Sequence, residues 1–78
     1  MNDKQILSRA AAIQRYLTLQ PHSADTVEGI HRYWVRSRGS DSGPELTLAA
    51  LDYLKAAGIV ESETLGDREI WRAATAVG

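Results

Sequence analysis

This sequence predicts an α+β fold, with three helices followed by a C-terminal two-stranded β-hairpin, all within a single domain over residues 1–78. Three observations carry that prediction. Apolar or small residues recur at helical spacing in Ile6, Ala10, Ile13 and Leu17, and again in Thr47, Ala50, Leu51, Leu54 and Ala57. After Gly58 the pattern changes to alternation, with Val60, Ser62 and Thr64 set against Glu61, Glu63 and Leu65. Leu65-Gly66-Asp67-Arg68 then separates that run from Ile70-Trp71-Arg72-Ala73 as a tight turn separates two strands.

The first helix begins at Asn2 or Asp3, with Gln5 placed for a capping box on Asn2. Leu7 and Tyr16 flank its apolar stripe, and Lys4, Arg9 and Arg15 lie mostly off it. It stops near Leu19 because Pro21 disfavours a helical Gln20. Pro21-His22-Ser23 connects to a second helix, capped by Asp25 with Glu28 three residues on, whose inward face is Val27, Ile30 and Trp34. Trp34 and Tyr33 are expected to anchor it to the first helix. Gly29 inside it costs roughly 1 kcal/mol relative to alanine, which points to close approach by the neighbouring helix. Residues 37–43, SRGSDSG, are polar and glycine-rich and read as a loop. The third helix spans Gly43–Ala57. Ser42 and Glu45 stand at capping-box spacing, Pro44 suits the first turn, and Gly58 suits a left-handed stop.

The stretch ALDYLKAAGIVESETLGDREIWRA, residues 50–73, resembles the C-terminal half of a winged helix-turn-helix domain of bacterial transcription-regulator type. Ala50, Leu51, Leu54, Gly58, Ile59, Val60 and Trp71 carry the resemblance. It implies a three-helix winged helix-turn-helix with a two-stranded wing, compatible with a very short extra strand near Ala24–Thr26. It also implies that the exposed face of the third helix enters a DNA major groove while the Thr64–Glu69 tip meets the backbone or minor groove. The sequence departs from that pattern in two places. The seven-residue loop exceeds the three or four usual in a helix-turn-helix, and Leu48 and Ala49 stand where related regulators often carry arginines.

Composition narrows the chemistry. The chain has no cysteine, so it has neither disulfide nor thiolate. Its 44% apolar content supports one small core. No apolar run approaches the roughly 20 residues that span a bilayer. MNDKQILSR lacks the apolar segment of a signal peptide, so a soluble, cytoplasmic protein with no membrane contact is expected. Glu28 and His31 form a Glu-x-x-His pair, but a second pair and further carboxylates would be needed for a di-iron site, and a surface histidine beside a capping glutamate is the simpler reading. No serine sits in a nucleophile elbow and no glycine pattern fits a phosphate loop. No enzyme activity, metal or cofactor is expected.

Charge divides the candidate functions. The net charge of −1 hides six Lys/Arg against three acids in residues 1–39, and three against seven in residues 40–78. If the partner is double-stranded DNA, Arg32, Arg36 and Arg38 anchor phosphates, Arg68 serves at the wing, and Thr47 and Lys55 are the base-side candidates. Against this, Glu45 and Asp52 make the third helix acidic, and Glu61, Glu63, Asp67 and Glu69 do the same to the wing. If the partner is a protein or a second copy of the chain, Leu46, Leu48, Leu65 and Ile70 carry the contact. At about 100° per residue, Leu46 and Leu48 cannot both face inward with Thr47, Ala50 and Leu51.

Overall fold

The computed structural model describes residues 2–35 and 43–74. Helix α1 (Asp3–Leu19) opens on the Asn2–Gln5 capping box, in which Asn2 Oδ1 accepts from the Gln5 amide at 2.9 Å and Gln5 Oε1 accepts from the Asn2 amide at 3.0 Å. Its inward stripe is Ala10, Ile13 and Leu17, with Ile6 packed alongside. The chain then forms strand β1 (Ala24–Asp25) and helix α2 (Val27–Gly29), which runs on as a π-helical turn over Ile30–Trp34. The wider turn is closed by the Val35 amide donating to the Ile30 carbonyl at 3.2 Å. Ile30 and Trp34 point into the core, and Trp34 stacks on Tyr16 with ring centroids 4.7 Å apart.

Three expectations for this segment are corrected. Thr26, not Asp25, caps α2: its hydroxyl accepts from the Gly29 amide, while Asp25 Oδ1 accepts from the Thr26 amide at 2.7 Å. Gly29 answers to that same carboxylate rather than to a neighbouring helix, because a Cβ there would collide with the Asp25 side chain. Tyr33 does not anchor the helix: it is 62% exposed, and of the two aromatic rings only Trp34 is buried.

Helix α3 (Pro44–Ala56) begins one residue later than expected, with Gly43 in the capping position and Pro44 in the first turn. The expected Ser42 cap lies outside the described residues, and with Gly43 as cap Glu45 no longer holds the third helical position. Ala57 closes the helix as an exposed cap rather than joining the apolar face. Gly58 takes φ +78°, and the Ile59 amide reaches the Leu54 carbonyl (2.9 Å) while the Gly58 amide reaches that of Lys55 (3.0 Å). This is the Schellman arrangement, with Ile59 folding back on the core beside Leu54.

Strands β2 (Val60–Leu65) and β3 (Arg68–Ala73) pair antiparallel from Val60↔Ala73 to Leu65↔Arg68, around a two-residue loop that opens on Gly66 at φ +67°. Strand β1 pairs antiparallel with β3 through Ala24↔Arg72 and Asp25↔Trp71. The sheet is thus three-stranded, in the order β1-β3-β2, where the fold class read from the sequence had a two-stranded hairpin. The fold is α+β, with three helices packed on one small antiparallel sheet. Leu51, Leu54, Val60 and Trp71 join Ala10, Ile13, Leu17, Ile30, Trp34 and Ala50 in one core. Among the described residues, no helix is long and apolar enough to cross a membrane.

Candidate functional site

Helix α3 presents two chemically distinct faces. Leu46, Thr47, Ala50, Leu51 and Leu54 are buried, whereas Glu45, Leu48, Asp52 and Tyr53 lie outside. The ambiguity between Leu46 and Leu48 resolves cleanly, since Leu46 is 6% exposed and Leu48 39%. Leu46 therefore belongs to the interior and offers nothing to a partner. Thr47 is removed from the base-side candidates for the same reason: it is fully buried, so no groove can reach it.

Thr47 instead sits in a polar cluster that joins three segments of the chain. Arg9 Nη1 from α1 donates to Thr47 Oγ1 at 2.9 Å and lies 3.2 Å from His31 Nδ1, which is itself 3.0 Å from Thr47 Oγ1. A guanidinium only donates, so its contact with His31 Nδ1 requires that nitrogen to be the acceptor, and the Thr47 hydroxyl then donates to it as well. Burial lowers the pKa of Arg9 from its ordinary value, because a guanidinium withdrawn from water loses solvation. Arg9 thus faces inward although its position in the sequence puts it off the apolar stripe. His31 is half-buried in this cluster rather than a surface histidine.

Lys55 is the sole cation on α3 and is turned onto the sheet. Its Nζ donates to Ser62 Oγ at 3.0 Å and stands 5.6 Å from the centroid of the Trp71 ring. On the hairpin, Arg72 clasps two carboxylates, with Nε 2.8 Å from Glu61 and Nη1 2.8 Å from Glu63. The bond to Glu63 and then that to Glu61 raise the Arg72 pKa, because both favour the charged guanidinium.

The remaining DNA candidates are dispersed. Arg32 and Arg68 are exposed, while Arg36 and Arg38 lie outside the described residues. Arg68 lines a shallow depression of about 470 Å³ with Thr26, Val27, Glu28, Asp67 and Glu69, so acids outnumber it there. Of the protein-contact candidates, Leu48 and Leu65 are exposed and Ile70 is half-buried on β3. Among the described residues, no three His, Cys, Asp or Glu side chains gather as a metal site.

A groove of about 620 Å³ between α1 and α3 escaped the sequence analysis. Asp3, Ile6 and Leu7 form one wall and Ala49, Asp52 and Tyr53 the other, with Leu7 49% and Tyr53 47% exposed. A signal was present in each helix. Leu7 follows Ile6 and Tyr53 precedes Leu54, and adjacent apolar residues about 100° apart extend a helix's apolar surface beyond a narrow buried stripe. Compared with known proteins, the sequence matches no family model, no curated protein and no solved structure.

Proposed function

We propose that this chain is a small regulatory module of winged-helix type that works by binding another protein, and that it neither catalyses a reaction nor reads DNA through its third helix. The order helix, short strand, helix, helix, hairpin supports the winged-helix reading, as does the docking of β1 against β3. The observation that carries the protein-binding reading is the outer face of α3. Glu45, Leu48, Asp52 and Tyr53 make it apolar and acidic, and Lys55 is committed to Ser62 and Trp71. A groove-reading helix draws its affinity from phosphate neutralisation and its base contacts mainly from Arg, Lys, Asn and Gln. An acidic face repels phosphates, whereas exposed leucine and tyrosine suit a protein contact.

Fluorescence anisotropy with random duplex DNA, run from low to moderate salt, tests this reading. The expected result is no saturable binding even at low salt. Binding that falls steeply with salt and weakens on Arg32→Ala or Arg68→Ala would overturn it in favour of a DNA-binding regulator.

A further inference from the structure

We infer that the α1–α3 groove receives an amphipathic helix of a partner protein, one whose apolar anchors are flanked by lysine or arginine. This deepens the protein-binding reading above and rests on it. The groove has an apolar lining of Ile6, Leu7, Ala49 and Tyr53, and each wall contributes one carboxylate, Asp3 from α1 and Asp52 from α3. Both carboxylates are exposed, and neither makes an ion pair or side-chain hydrogen bond with another described residue. No cation lines the groove among the described residues.

This combination selects the occupant. A furrow between two helices is the shape into which the ridge of a third packs, and helix-in-groove recognition uses apolar anchors at i, i+3 or i+4, and i+7. The carboxylates on opposite walls then favour a helix with cations on both sides of its apolar stripe, and disfavour acidic helices and anionic lipid surfaces by like-charge repulsion.

The test uses two fluorescein-labelled helical peptides that share leucine anchors, one with lysine at every flanking position and one with glutamate there. The full chain is titrated with each, and amide shifts map the site. The expected result is that the lysine peptide binds with shifts centred on Ile6, Leu7, Ala49 and Tyr53, and that the glutamate peptide binds at least about tenfold more weakly. Asp52→Lys, which leaves Asp3 facing a new cation, should abolish most of that preference. Leu7→Ala and Tyr53→Ala should each reduce lysine-peptide binding several-fold while circular dichroism stays unchanged, as expected for half-exposed positions.

Equal affinity for both peptides at the groove overturns the charge assignment and leaves the protein-binding reading standing. Shifts centred elsewhere, or failure of the folded chain to bind either peptide, overturn the groove as the site. Self-association that perturbs the same residues and excludes the peptide also overturns it, assigning the groove to a second copy. Salt-sensitive duplex binding, by contrast, removes the underlying functional reading itself.

Discussion

Arg9 and Arg72 carry the same guanidinium into opposite surroundings. Arg9 leaves α1 for a half-buried position, where it donates to the buried Thr47 hydroxyl beside His31 and loses solvation. Arg72 lies on β3 with 38% of its side-chain surface open to water and is held between Glu61 and Glu63. The pKa is lowered in the first case and raised in the second, because desolvation dominates one and opposite charge the other. The comparison separates two ways of fastening elements together. Between the helices, a polar group inside the protein must keep its partner, since losing it strands a desolvated donor. On the hairpin, the ion pairs are open to water and salt, so they add little, and the sheet is held mainly by the apolar side chain beneath it.

Substitutions at three positions break or sharpen that contrast, in descending order of effect. Trp71→Ala should cost about 3–5 kcal/mol, measured by urea denaturation, because it empties the core under β3. A small loss would mean that the Arg72 clasp holds the hairpin after all. The Trp71 indole Nε1 is buried without a hydrogen-bond partner among the described residues, so the truncation breaks no hydrogen bond at that nitrogen and its cost is mainly lost packing.

Thr47→Val keeps the volume but deletes the hydroxyl that accepts from Arg9, and should cost about 1–3 kcal/mol. Thr47→Ser, which retains the oxygen and loses one methyl, should cost only about 1 kcal/mol. Equal losses from the two variants would show that packing, not the hydrogen bond, accounts for that position.

Arg72→Ala should give the smallest change, a barely resolved shift in the denaturation midpoint that shrinks further in added salt. Its pH dependence follows from the sign of the shift. With the folded pKa raised above the ordinary guanidinium value, the contribution is fully present below that ordinary value and is lost only as pH rises through the raised one. The difference between wild type and Arg72→Ala should therefore stay flat through neutral and mildly alkaline pH as far as the arginine is concerned. A midpoint change as large as that of Thr47→Val would erase the distinction between the two clusters.

Much of the fold was legible because its signals are local. The Asn2–Gln5 box, the Ile6 to Leu17 stripe, the Gly58 stop and the Gly66-Asp67 turn each involve residues close in sequence, and each was found in its expected place. The short strand near Ala24 was anticipated only through the resemblance. The candidate site was far less legible. Helical spacing showed that Leu46 and Leu48 diverge, but not which one the core accepts. Thr47 falls on the apolar stripe of its helix at helical spacing, and that placement alone is at odds with a role at the DNA bases. Arg9 looked solvent-facing because its own helix gives no hint that Thr47 and His31 wait across the packing interface.

Sequence alone thus determined the order of the three helices and the C-terminal hairpin, the stops and turns that separate them, and which stripe of each helix is apolar. These properties depend on backbone propensity and on neighbours three or four positions away. Only the tertiary structure decided that β1 completes the sheet on β3, that Lys55 turns toward Trp71, and that Arg9 meets Thr47. It also decided that Leu7 and Tyr53 share an acid-walled groove. Those outcomes depend on how separate elements cross in space, where residues tens of positions apart become neighbours and compete for the same buried volume.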